Sequence, residues 1–434
     1  MHFLNWYRHL LWMKALRQAD PQIASLALKE LNRLETTLDL IAAENHAPPS
    51  ILEALGSVFS TKTIEGYPGH RYHAGCQVVD EVERLAISRA KALFGAEHVN
   101  VQPHSGTSAN LAVYFSVLNP GDRILSMTLS HGGHLSHGHP ASIAGKCFQV
   151  QHYGVSPETG RIDCADVAAI AERFKPKMIV AGASSYPRCI DYGALAETAA
   201  SLSAYFLVDM AHIGGLVAAG VIPSPVPHAD FVTFTCYKTM MGGRGGVILC
   251  RDRYAKALDR ALFPGCQGTS PVNAIAAKAV IFKLAMEDAF VRVQQQTVAN
   301  AARLAALLAD KDYAIVTGGT DTHQVIADLS PLGIDGATAE TALEKAGIIL
   351  NKNVIPGDQG KANRVSGIRI GTAAVAARGM GENEMQLISD WLDRGIRRYD
   401  DSRTLGDIRR NVEALCRKFP VYGQKLEVDH GDNL

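Results

Sequence analysis

The sequence predicts an α/β protein: a large domain built on a mostly parallel sheet, followed by a smaller C-terminal α+β domain. Three observations predict it. Five apolar runs, 122–127, 176–184, 204–212, 229–238 and 245–252, are continuous rather than alternating, as strands buried on both faces are. Helix-like stretches such as CADVAAIAERFK (164–175) and YGALAETAASLS (192–203) lie between several of them, the rhythm of a parallel sheet with helical crossovers. Polar residues stand where the runs end, namely Ser184, Asp209 with His212, and Lys238, at the strand ends where open α/β sheets bind ligands.

Residues 1–12, MHFLNWYRHLLW, are apolar and aromatic. They are shorter than the roughly 17–25 residues of a membrane span and lack the basic start and cleavage site of a signal peptide. A true start at Met13, or a loose extension, accounts for them. The stretch DPQIASLALKELNRLETTLDLIAAEN (20–45) has helical periodicity after its Asp-Pro start. Beyond the apolar runs, a long helix over 289–310 leads into strands at THQVIADL (322–329) and GIRIGT (367–372) and a closing helix at 381–399. The expected division is an N-terminal helical arm at 13–70, a large domain at 71–300 and a small domain at 301–422.

Of 434 residues, 43 are Lys or Arg and 43 are Asp or Glu, a balance that gives no reason to expect nucleic acid or an anionic membrane as partner. A content of 47% hydrophobic and 20% charged residues is that of an ordinary globular protein. Eight scattered cysteines with no CxxC pair point to a reducing, cytoplasmic setting rather than a disulfide framework. There is no internal repeat or low-complexity tract.

The stretch SHGGHLSHGHP (130–140) gathers His131, His134, His137 and His139. Histidine is the commonest metal ligand, but the stretch holds no acidic or cysteine residue and its glycines break any fixed spacing, so no metal is expected. Lys238, at the end of a buried strand, would have its pKa depressed toward a reactive amine suited to Schiff-base chemistry. Asp209 would need a partner, and an aspartate with such a lysine is the signature of pyridoxal phosphate (PLP) enzymes. PHSGTSANLAVY (103–114) is a Ser-Gly-Thr turn opening a helix, a ready phosphate cradle; FPGCQGTSP (263–271) could serve likewise. Taken singly, Lys238 also reads as a surface lysine, Asp209 as a helix cap and 103–114 as an ordinary capped helix.

Together and in order, these stretches resemble the serine hydroxymethyltransferase family, PLP enzymes of the aspartate-aminotransferase fold (fold type I). The matching motifs are LIAAEN, EGYPGHRY with AGC, NVQPHSGTSAN, SHGGHLSHG, VDMAHIGGLVAAG, YKTMMGGRGG, FPGCQG, LNKNVIPGD and SGIRIGT, spread from about residue 20 to 385. The resemblance implies that Lys238 holds PLP covalently, that Asp209 pairs with the ring nitrogen, and that His134 stacks on the ring. Ser184 and His212 would lie at the phenolic oxygen, with Thr235 also at the cofactor. Ser105, Gly106 and Thr107 would bind the phosphate, joined by Gly268 and Thr269 of the partner subunit. His131, His137 and His139 would be loop and wall residues. Arg369 would clamp the substrate carboxylate, and Glu65 of the partner subunit would be the acid–base group. Tetrahydrofolate would meet Leu129, Gly133, His134, Leu135, Tyr72 and Asn353. A shared site implies a homodimer or tetramer.

Four positions depart from the family pattern: Ala43 for a serine, Thr63 and His73 for tyrosines, and Tyr237 for the histidine before the lysine. All fall at the substrate pocket. The changes at 43 and 63 remove atoms, so a larger substituent on Cα is expected to fit, and 2-methylserine is the candidate beside serine. A folate-dependent hydroxymethyltransferase is the first expectation, because LSHGGHL, LNKN, Glu65 and Tyr72 are kept. A folate-independent aldolase of 2-methylserine or another β-hydroxy amino acid is the second, and a non-catalytic PLP-binding protein the third.

Overall fold

The structure is a computed structural model that describes residues 11–358 and 365–422. Most of the N-terminal stretch, residues 1–10, lies outside them, and residues 11 and 12 begin a short helix. The strands in chain order are β1 (Leu38–Asp39), β2 (Gly66–Tyr67), β3 (His70–Arg71), β4 (His98–Asn100), β5 (Arg123–Met127), β6 (Gln149–Tyr153), β7 (Met178–Gly182), β8 (Tyr205–Asp209), β9 (Phe231–Thr235), β10 (Gly246–Cys250), β11 (Ala314–Ile315), β12 (Gln324–Asp328), β13 (Ile348–Ile349), β14 (Asn351–Asn353) and β15 (Gly367–Gly371).

The large sheet has seven strands in the order β4-β10-β9-β8-β7-β5-β6. The five from β9 to β6 run parallel, and β10 and β4 are antiparallel additions at one edge. Strands β7, β9 and β10 are buried at every position, which is why they read as continuous apolar runs. The sequence reading misses β4 and β6. HVN is too short to show a period, and QVQHY is an edge strand whose outward positions are polar.

The small sheet, β11-β12-β15-β14, is antiparallel. The long helix Asp288–Ala309 spans both cores: Phe290 packs with the large sheet, and Ala301, Leu304 and Leu308 pack with the small one. The N-terminal helix is shorter than its pattern suggests. Asp20 caps it and it ends at Thr36. The next residues, Leu38 and Asp39, instead pair in parallel with Ile348 and Ile349 of β13, and Leu38 and Leu40 lie in the small-sheet core. Pairing with a buried strand thus overrides local helical propensity. The helix Glu382–Arg397 is also not the last one: Asp401 caps a further helix, Ser402–Lys418. No helix among the described residues is long and apolar enough to cross a membrane.

Arg378 fastens these ends together. Its buried guanidinium donates to the carbonyls of Leu34, Glu35 and Thr37 on one side and Cys416 and Phe419 on the other. Arg378→Ala would strand five acceptors. We expect it to lower unfolding stability by about 3–5 kcal/mol, read as a lower midpoint in urea denaturation.

Candidate active site

The site forms at the carboxyl ends of the parallel strands, where loops after β5, β7, β8 and β9 meet. Their close approach depends on glycine. A Cβ on Gly132, which sits at φ +112°, would lie 2.4 Å from the Ser185 carbonyl oxygen, while the Gly132 carbonyl itself accepts the Ser184 amide at 2.8 Å.

Ser105, Gly106, Thr107, His134, Ser184, Asp209, Thr235, Tyr237 and Lys238 line one cavity. Ser105 caps the helix Gly106–Val117 in a capping box with Ser108. A Cβ on Gly106 would fall 2.9 Å from Thr235 Cγ2, so the helix start is pressed onto β9 with its free N–H groups facing the cavity, an anion site by construction.

Asp209 is the last residue of β8 and is buried. Its Oδ2 accepts from Asn110 Nδ2 at 2.9 Å and from His137 Nε2 at 2.9 Å, and its Oδ1 accepts the Ala211 amide at 3.0 Å. Burial alone would raise its pKa; the hydrogen bond and charge of His137 overcome it and hold the carboxyl well below its usual range. Asp209 is therefore not a helix cap, since the short helix that follows starts only at Gly214. It keeps acceptor capacity on Oδ1, which suits a protonated ring nitrogen.

His137 is a correction to the sequence reading, which makes it a loop or wall residue. It is 1% exposed and is the principal partner of Asp209. The stated absence of an acidic neighbour also fails in three dimensions. Asp209, 72 residues away, brings its carboxylate within 4.8 Å of donor atoms of His134 and His137. That trio has metal-like spacing, but the His137 N–H points into the carboxylate and His134 Nδ1 is engaged with Ser136 at 2.7 Å. The donor set is arranged as a hydrogen-bonded carboxylate, with the His134 and His137 rings meeting edge-on at 5.6 Å.

Lys238 is 7% exposed, which rules out the surface-turn reading. Its ammonium finds no hydrogen-bond partner among the described residues and lies 5.9 Å from the centre of the Tyr237 ring. Burial pushes its pKa down to about 8, against the attraction of Asp209. Thr239 holds the turn in place: its hydroxyl donates to the His212 carbonyl at 2.9 Å and accepts the Gly215 amide at 3.0 Å. His212 is buried, its Nδ1 has no partner among the described residues, and burial with the charges of Lys238 and Arg369 keeps it neutral. An unpaired amine, an orphaned imidazole nitrogen, an open helix start and a buried carboxylate together fit PLP.

Arg369, on β15, reaches across from the small sheet. It donates to the Ser184 carbonyl at 2.6 Å and to Asn351 Oδ1 at 3.2 and 3.3 Å, and burial lowers it to about 10. Its unused donors could take a carboxylate. His323 stacks on His212, with ring centres 5.6 Å apart and planes at 22°, and its Nε2 donates to the Ala42 carbonyl at 3.0 Å. Residues 42 and 43 thereby sit beside the Arg369 strand, where the Gly371 amide also bonds Leu40. Asn353 accepts from Ser185 at 2.7 Å.

The remaining expected residues do not line the Lys238 cavity of their own protomer. Thr63, Tyr72 and His73 are exposed, and Glu65 approaches His73 Nε2 at 3.5 Å. The Thr269 hydroxyl accepts the Ile64 amide at 2.8 Å, nothing among the described residues crowds Gly268, and Tyr72 meets Phe263 edge-on at 5.7 Å. These residues form a second cluster of the 63–73 and 263–270 segments. Leu129 and Leu135 are exposed on the histidine loop, on either side of Gly133. Tyr237 lies under the Arg244 guanidinium at 4.5 Å.

Sequence reasoning misses Asn110, His137, Ser136, Thr233 and His323. Asn110 carries a usable signal: it is the one carboxamide in the helix GTSANLAVYFSV, followed directly by the apolar run LAV, and it is fully buried.

Below pH 8 the Lys238 amine is protonated and cannot attack an aldehyde. We expect the rate at which cofactor-free protein captures PLP to climb as pH rises from 6 and to level off above about pH 8, rather than near the ordinary lysine value of about 10.4, as read by stopped-flow absorbance. Because Asp209 raises the Lys238 pKa, Asp209→Asn is expected to move that midpoint lower still.

With this geometry in place, one comparison bears on it: the sequence model of a protein family described as serine hydroxymethyltransferase matches residues 16–392.

Proposed function

Because the chain belongs to the serine hydroxymethyltransferase family, a family of hydroxymethyltransferases that use PLP with tetrahydrofolate as cosubstrate, we propose that its amino-acid substrate is 2-methylserine. The hydroxymethyl group passes to tetrahydrofolate and alanine is left; serine, leaving glycine, is the smaller substrate of the same site. When bound, PLP supplies the sink for the electron pair released as Cα–Cβ breaks. Lys238 anchors the cofactor, Asp209 keeps its ring nitrogen protonated, Arg369 orients the substrate carboxylate, and Glu65 of the partner subunit takes the hydroxyl proton. Leu129, Gly133, His134, Leu135, Tyr72 and Asn353 receive the folate. The assembly is a cytoplasmic homodimer or tetramer with shared active sites.

The observation that carries the substrate reading is where the departures fall. Ala43, Thr63, His73 and Tyr237 differ from the family pattern on the amino-acid side, while Lys238, Asp209, Arg369 and Glu65 keep it. Ala43 follows Ala42, whose carbonyl binds His323 beside the Arg369 strand. A serine hydroxyl is missing there and a tyrosine ring is missing at 63, and both losses leave room for an α-methyl group. Such a methyl is worth about 1–3 kcal/mol of discrimination. 2-Methylserine has no α-proton, so only carbon–carbon cleavage is open to it. A folate-independent aldolase is the second reading, favoured by the Glu65–His73 pair, which sets an imidazole beside the carboxylate.

Alanine release from 2-methylserine, and glycine release from serine, are to be compared with and without tetrahydrofolate. We expect alanine only with folate. Equal alanine without it identifies the aldolase, and turnover of serine alone refutes the 2-methylserine reading. Thr63→Tyr is expected to lower kcat/KM for 2-methylserine about 10-fold or more while sparing serine; equal loss on both substrates removes the volume argument.

A further inference from the structure

One buried cation takes no part in the site described above. Lys278 lies in the middle of the helix Val272–Leu284 and is 2% exposed. No carboxylate forms a salt bridge with it among the described residues. Its ammonium donates instead to three main-chain carbonyls: Val101 at 2.6 Å, Gly246 at 2.9 Å and Pro103 at 3.1 Å. An ammonium has three donors, so the match is complete. Burial pushes Lys278 down to about 8; an apolar side chain would avoid that penalty but leave the three carbonyls without this partner.

The three carbonyls belong to two stretches. Val101 and Pro103 lie between β4 and the Ser105 turn. Gly246 is the first residue of β10, directly after the loop that carries Lys238. The loop is closed by the Cys236 amide on the Gly245 carbonyl at 3.2 Å, and the two stretches are joined by the Gly246 amide on the Pro103 carbonyl at 3.0 Å. No slack remains. A Cβ on Gly246 would lie 2.3 Å from the Ser105 carbonyl oxygen, and one on Gly245 would lie 2.5 Å from Lys278 Cε.

We propose that Lys278 is a positioning residue for the cofactor, fixing the separation between the phosphate turn at Ser105–Thr107 and the strand-end loop that carries Lys238. PLP joins its aldehyde to its phosphate through a rigid ring and a short CH2–O arm, so its two anchors must be held within a narrow range of spacing. The proposal rests on Lys238 and the Ser105 turn being those anchors, and is independent of which amino acid is the substrate.

The test uses the full chain, cofactor-free and PLP-loaded, as Lys278→Met, as Lys278→Gln (which keeps two N–H donors), and as Ile275→Ala, a control for general destabilisation on the same helix. PLP affinity is read by titration of the visible absorbance of the lysine-linked cofactor, and Tm is read for both forms. For Lys278→Met we expect Kd to rise at least about 10-fold and the Tm gain from PLP to shrink. Lys278→Gln should fall between it and the wild type. Ile275→Ala should lower both Tm values alike and keep the wild-type Kd. Wild-type affinity in Lys278→Met, or an equal loss of affinity in Ile275→Ala, overturns the proposal. If Lys278→Met does not fold, Lys278→Gln decides by the same criterion. Absorbance that survives in Lys238→Ala would refute the anchor assignment itself, separately from Lys278.

Discussion

A carboxylate at the buried end of a strand must be satisfied by the protein around it, and much of this site follows from how Asp209 is satisfied. Asn110 donates to it from the helix that opens at the phosphate turn, and His137 donates from the histidine loop. Asn110 also donates to Ser136 and accepts from Thr233 on β9, and Ser136 contacts His134. A single polar network thus spans the anion-binding helix, the loop after β5 and the two central strands. Buried networks of this kind specify one arrangement, because each member lost leaves its neighbours unpaired in a medium that punishes it.

The electrostatic balance around that network is uneven in a useful direction. Arg369 and Lys238 both approach the cavity and both are destabilised by burial, to about 10 and about 8. His212 and His323 stay neutral beside them. Asp209 is the anion that lines the cavity, and its charge is already spread over three donors. Such a site is short of negative charge, and a phosphate at the helix start with a carboxylate at Arg369 would complete it.

The architecture was legible in the sequence where one physical force dominated. Strands buried on both faces leave continuous apolar runs, and β5, β7, β8, β9 and β10 lie within the five runs read from sequence. Ser184, Asp209 and Lys238 were legible because polar residues interrupt those runs at their ends. What stayed hidden depends on contacts far along the chain. Nothing local says that His137 rather than its neighbours will meet Asp209, or that TLDL will leave its helix to pair with β13. Edge strand β6, half polar, resembles loop until its partner is known. Residues 63–73 illustrate a further limit: their chemistry reads clearly in the motif, yet in one protomer they do not line the cavity.

The pairing of β1 with β13 has a consequence in time as well as space. Leu38 leaves the ribosome early, but its partner Ile348 is made only after the entire large sheet. During synthesis the seven-stranded sheet can close on itself while Leu38 and Leu40 have no apolar surface to enter. Contacts this distant in sequence form late and leave their parts exposed in the meantime. The small sheet, and with it the approach of Arg369 to Ser184, can therefore assemble only after every strand of the large sheet has been made. The nascent chain acquires its cofactor-facing strands well before the strand that carries Arg369.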